Sequence, residues 1–123
     1  MVWKFTGDKP VYQQIMEQFR CAILAGEYTP GGRIPSVREL AMQAKVNPNT
    51  MQRALTELEE EEGLVNLGTI GRCVTEDQQI LEQIRNQIVD QTVRRCAQQF
   101  SALGLSMQEA AGLLQQLEEK EEL

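Results

Sequence analysis

A mainly α-helical chain is what the sequence predicts: three short helices closed by a two-stranded hairpin, then two further helices. Three observations carry that reading. Apolar residues recur at three- and four-residue steps in five separate stretches. Helix-start signals precede four of those stretches, in "GDKP", "PSVRE", "VNPNT" and "LSMQE". Two short strand-like runs, joined around "GTIG", lie between the third and fourth stretches.

Asp8-Lys9-Pro10 reads as the first helix start, with Asp8 as the cap and the proline early in the first turn. Tyr12, Ile15, Phe19 and Ile23 follow as one apolar face flanked by Met16, and Gly26 ends the helix. "YTPGGRIP" is dense in breakers and reads as a loop. Ser36-Val37-Arg38-Glu39 has capping-box spacing, so the Ser36 hydroxyl would accept from the Glu39 amide while the Glu39 carboxylate reaches back. Leu40, Ala41 and Ala44 face inward, and this helix stops near Lys45. Asn47 caps the third helix, and Pro48 takes its first position, where a missing N–H costs little. Met51, Ala54, Leu55 and Leu58 form its buried stripe, with Gly63 as the expected C-terminal cap. Strands are expected over Leu64 to Leu67 and Arg72 to Val74. Three helices with a tight turn between the second and third, followed by a hairpin, make a winged helix-turn-helix over residues 1–76.

From about Glu76 the pattern changes. Ile80, Leu81, Ile84, Ile88, Val93, Ala97 and Phe100 mark a long amphipathic helix from Asp77 to about Ala102, roughly 39 Å in length. Gly104 breaks it. Ser106-Met107-Gln108-Glu109 is a second capping box, opening a helix that carries Ala110, Leu113, Leu114 and Leu117, and the terminal "EEKEEL" is expected to fray. Within one chain the long stripe has only a short second helix to cover it. Residues 77–123 are therefore expected to form a dimerisation region, with Ile80, Leu81, Ile84, Ile88, Val93, Phe100, Leu113, Leu114 and Leu117 buried around a twofold axis. The alternative is a stripe that packs back on the first domain and leaves a monomer.

Composition narrows the function. The chain has no histidine, which removes the commonest general base, the usual nucleophilic triads and most transition-metal sites. No nucleophile–base pair is visible, and "GGRIP" lacks the lysine of a phosphate loop, so an enzyme is not expected and neither cofactor nor metal is implied. Cys21, Cys73 and Cys96 are odd in number and widely spaced, and read as small buried hydrophobes in a reducing cytoplasm. No signal-peptide core or membrane span occurs. The net charge of -6 hides an asymmetry. Residues 1–56 hold seven cations against four acids, and the other 67 residues five against fourteen.

The basic half concentrates its polar residues where a helix could enter a DNA groove. Asn49, Thr50 and Arg53 share one face of the third helix, offset from its apolar stripe, and Asn47 stands at its tip. Arg53 could pair with guanine O6/N7, Asn49 could read adenine, and Thr50 could meet a phosphate or a thymine methyl. Arg38 and Arg33 could hold phosphates beside the second helix, whose start carries Ser36, and Thr69 and Arg72 on the hairpin could reach a flanking backbone or minor groove. Each has a plainer role available. Asn47 caps a helix regardless of function, Arg38 could pair with Glu39 or Glu27, Arg53 with Glu57, and Arg72 could simply be a charged hairpin residue.

The blocks "PVYQQI", "GGRIPSVRELA", "VNPNTMQRAL", "LEEEEGLV" and "GRCVTED" resemble, in order, the DNA-binding domain of the GntR family of bacterial transcription regulators, over roughly residues 5–77. The resemblance implies a winged helix that binds double-stranded, palindromic operators as a homodimer, with Arg33, Ser36, Arg38, Asn47, Asn49, Thr50, Arg53 and the hairpin tip at the DNA. The chain departs from the family in the wing: Thr69 replaces the first glycine of a G-x-G pair and Cys73 an aromatic. About 46 residues follow Asp77, too few for the large effector domains of other branches. This length is similar to that of the YtrA subfamily, which implies control of a transporter operon. The expected function is a repressor. A small-molecule effector, if one exists, would reorient the two winged domains through the dimer helices. Phe100, Cys96 and Met107 could line its pocket, although such a stripe also suits core or interface. The competing reading is a winged-helix protein–protein interaction module that binds no DNA, motivated by the acidic total.

Overall fold

The computed structural model describes all 123 residues, in the order α1 (Val11–Leu24), α2 (Val37–Ala44), α3 (Pro48–Glu60), β1 (Leu64–Asn66), β2 (Arg72–Val74), α4 (Gln78–Ala102) and α5 (Met107–Glu119). A single 3-10 turn, Gly68–Ile70, joins the antiparallel strands, whose register pairs Leu64 with Val74, Val65 with Cys73 and Asn66 with Arg72. The expected fold is present: a three-helix winged helix-turn-helix followed by two helices. The chain divides into two compact units, Met1–Asn86 and Gln87–Leu123. The packing boundary thus falls inside α4, beyond the residue 76 expected from the change in sequence pattern.

The first unit is built on one core. Ile15, Phe19 and Ile23 of α1 meet Leu40, Ala41 and Ala44 of α2, and Met51, Ala54, Leu55 and Leu58 of α3, with Leu64 and Val74 closing the hairpin side. These are the residues that helical and strand periodicity marked, because burying each stripe removes its apolar area from water. Trp3 and Phe5 stack on each other at 6.1 Å, and Phe19 stacks on Tyr28 at 5.3 Å, extending the core over the N-terminal segment. Two glutamines one turn apart hold that segment to α1. Gln18 exchanges hydrogen bonds with the Lys4 backbone, and Gln14 exchanges them with the Thr6 backbone and donates to Lys9 O.

The helix ends correct several expectations. Asp8 does not cap α1: Pro10 holds the N-cap position without a side-chain bond, and Asp8 instead accepts from the Thr6 hydroxyl. Gly63 is not the left-handed residue after α3. Glu62 takes φ 68, while the Gly63 N–H closes the motif on Leu58 O at 3.0 Å. Glycine at 63 leaves room for α4, since a β-carbon there would stand 3.2 Å from Ile84 Cδ1. Ser36 accepts from the Glu39 N–H, but the reciprocal bond to the Ser36 N–H is missing; the Ser36 hydroxyl donates to the Glu39 carboxylate instead. The box at Ser106 and Glu109 is complete. The first strand ends at Asn66, leaving Leu67 outside the ladder and exposed. Cys73 is buried as expected, but Cys21 and Cys96 are exposed, and all three thiols are free.

Asp77 caps α4 by accepting from the Gln79 and Ile80 N–H groups. The first turns of α4 belong to the winged unit. Leu81 packs against its core, and Ile84 is 5% exposed beside Gly63, so these two do not contribute to a free stripe. In the second unit Ala110 is buried, whereas Val89, Val93, Leu103, Met107, Leu113, Leu114 and Leu117 are exposed. No helix is long and apolar enough to cross a membrane.

Candidate nucleic-acid interface

The turn between α2 and α3 sets the interface. Lys45 adopts the left-handed conformation at φ 57, and the Val46 N–H reaches back to Ala41 O at 3.0 Å. Val46 packs against the core, which fixes where α3 starts. The Asn47 side-chain oxygen then accepts from the Asn49 N–H at 2.8 Å, satisfying one free amide of the first turn. With Met51, Ala54 and Leu55 buried, Asn49 and Arg53 are exposed and Thr50 half-buried on the outer face.

Arg53 is held from two sides. Its guanidinium carbon lies 3.7 Å from the centre of the Tyr12 ring on α1, and its Nε donates to Glu57 Oε1 at 3.4 Å. The side chain is still 59% exposed. The ion pair that helical spacing allowed is therefore made, together with a cation–π contact that helical spacing could not show.

The wing is shaped by an Asn66 side chain that accepts from the Gly68 N–H at 3.0 Å, and by positive φ at Gly68 and Gly71. Thr69 stands exposed at the tip between these glycines, so the pair that bends the wing is Gly68 and Gly71. The loop after α1 docks on β2: Arg33 bridges Cys73, and the Ile34 N–H donates to Arg72 O at 3.0 Å. A β-carbon on Gly71 would lie 3.4 Å from Arg33 Nε, so the arginine runs close along the wing. Arg72, expected to face a flanking backbone, is instead tied to Glu59 of α3, and its side chain is 15% exposed. Arg38 is exposed at the start of α2. The six ion pairs of the chain leave Arg33, Arg38 and Lys45 free, so neither Glu39 nor Glu27 claims Arg38.

The arrangement thus offers a helix tip of short polar side chains, with Lys45 in the turn before it and Arg38 exposed at the start of α2, neither held in an ion pair. Residues 11–71 match the family described as bacterial regulatory proteins, gntR family. The HTH-type transcriptional repressor YtrA of Bacillus subtilis is 36% identical over 94 residues, which cover 68% of this chain and 72% of that protein. The chain belongs to the GntR family. A GntR family transcriptional regulator from Listeria monocytogenes superposes with a TM-score of 0.81 at 36% identity, covering 91% of this chain and 98% of that one. The AraR DNA-binding domain in complex with operator ORX1 superposes with a TM-score of 0.56 at 26% identity, over 61% of this chain and 96% of that domain. This GntR protein is a helix-turn-helix transcriptional regulator.

Periodicity marks neither the contact of Tyr12 with Arg53 nor that of Arg20 with Glu61. Tyr12 falls within the apolar stripe of α1, and its spacing alone predicts a core role. Its ring does touch the core, but it lies at the edge of the stripe and also carries Arg53. Arg20, a buried cation on α1, grips Glu61 with Nε at 3.1 Å and Nη2 at 2.5 Å. The acidic run after Leu58 is legible in the sequence, but the pairing of Glu59 with Arg72 and of Glu61 with Arg20 depends on packing.

Proposed function

We propose that this regulator is a cytoplasmic repressor that binds a palindromic operator as a homodimer and controls a transporter operon. The observation that carries the DNA reading is the exposed, Asn47-capped start of α3, in a winged unit where Arg33, Arg38 and Lys45 stand outside every ion pair although the chain's net charge is -6. Unpaired cations near a groove-sized helix favour phosphates, and the acidic remainder disfavours non-specific adhesion. Asn49, Thr50 and Arg53 are the base-reading set, with Ser36, Asn47 and Thr69 at the backbone. Repression is supported by the similarity to YtrA, a transcriptional repressor. The dimer is supported by apolar side chains left in water on α4 and α5, among them Val93, Leu113, Leu114 and Leu117. An effector would act by binding the two operator-facing arrangements of the dimer unequally.

Gel retardation with duplex DNA from upstream of the gene's own operon tests this. Salt-sensitive, sequence-specific retardation is expected. Arg53→Ala should cost about 1–3 kcal/mol and relax base preference, whereas Arg38→Ala should weaken all sequences alike and lower the salt slope by roughly one. Absence of retardation at low salt would favour an adaptor that binds another protein.

A further inference from the structure

The contact between Tyr12 and Arg53 joins α1, which bears none of the expected base-reading residues, to the exposed face of α3. A free arginine side chain samples many rotamers, and ordering it on binding opposes association. Here the Tyr12 ring covers one guanidinium face at 3.7 Å and the Glu57 carboxylate takes the Nε edge at 3.4 Å. Those two contacts leave the Nη edge for a ligand, the edge whose paired donors match O6 and N7 of guanine. The Tyr12 hydroxyl takes no part in this and accepts from Gln13 Nε2 at 3.2 Å.

The geometry points to Tyr12 as a positioning residue for base recognition: its aromatic face holds Arg53 in the conformation that reads a base, so Tyr12 sets operator specificity without touching DNA. This rests on the DNA-binding reading of Arg53 given above. A ring stacked on a partly exposed guanidinium leads to an expected loss of roughly two- to tenfold in operator affinity when the ring is removed. The loss should fall on the specific complex and leave non-specific binding in place, because the phosphate-facing cations are untouched.

The test is a double-mutant cycle on the full-length protein. The probe is the duplex that the wild-type protein selects from a random-sequence pool, with a shuffled duplex as reference. Tyr12→Leu should weaken binding to the selected duplex and not to the shuffled one. Tyr12→Phe, which keeps the aromatic face, should bind as wild type. The double variant Tyr12→Leu/Arg53→Ala should bind no worse than Arg53→Ala alone, a non-additivity that general loss of folding would not produce. Thermal melts verify that each variant is folded at the assay temperature. The inference is overturned if Tyr12→Leu keeps full discrimination, if Tyr12→Phe loses as much as Tyr12→Leu, or if the two losses simply add. If Arg53→Ala itself binds as wild type, or the pool yields no preferred duplex, the DNA reading of Arg53 fails as well.

Discussion

The guanidinium of Arg72 on the wing pairs with the carboxylate of Glu59 on α3, and both side chains are largely screened from water. The pair links the second strand of the wing to the helix that carries the proposed base-reading residues. It also sets Arg72 apart from Arg33 and Arg38, which have no partner in the protein. Removing Glu59 would leave a mostly buried cation unpaired, so Glu59→Ala should lower unfolding free energy by about 1–3 kcal/mol, between the exposed and fully buried cases. Urea titration reads that change. Arg72→Ala should leave the salt slope of DNA binding unaltered, and a slope reduced as in Arg38→Ala would show that Arg72 swings out to the phosphates.

Glu62 stands in the left-handed position after α3, although Gly63 follows immediately. A non-glycine residue there carries about 1–2 kcal/mol of steric strain, partly offset by the greater unfolded-state freedom of glycine. Glu62→Gly should therefore stabilise the protein by about 0.5–1 kcal/mol, seen as a higher melting temperature. Unchanged or reduced stability would place the helix end elsewhere.

The two halves of the α4 stripe should respond differently to substitution. Ile84 is buried against the winged unit, and Ile84→Ala should cost about 2–5 kcal/mol of stability. Val93 is 61% exposed. Val93→Glu and Leu114→Glu should leave each subunit folded and shift the protein to a monomer in sedimentation experiments. A monomeric wild type, or a dimer that tolerates both charges, would remove these residues from the interface.

Burial, and to a smaller extent the charge of Glu27, raises the Tyr28 phenol above its ordinary value near 10. The raised group contributes its stability fully below the unfolded-state value and loses it as pH climbs through the folded-state value. The urea midpoint should therefore fall as pH rises above about 10. Tyr28→Phe, which preserves the stack on Phe19, should make that fall shallower than in the wild type. Parallel curves for the two proteins would remove Tyr28 as a source of alkaline sensitivity.

Local chemistry determined much of this protein. Ser36, Asn47 and Ser106 occupy their cap positions because a short side-chain acceptor can reach an amide two or three residues on, a relation complete within one turn. The buried stripes of α1, α2 and α3 follow from a fixed helical period, and the match of ordered blocks to one family follows from the same residues. The tertiary structure decided what depends on residues distant in sequence. It assigned Glu59 to Arg72 and Glu61 to Arg20, laid Tyr12 under Arg53, and seated Ile84 beside Gly63. Periodicity states which way a side chain faces but not which distant group meets it there. In an acidic run with several cations in reach, only the packed backbone brings particular charges within a few ångströms, where the interaction is strong enough to choose.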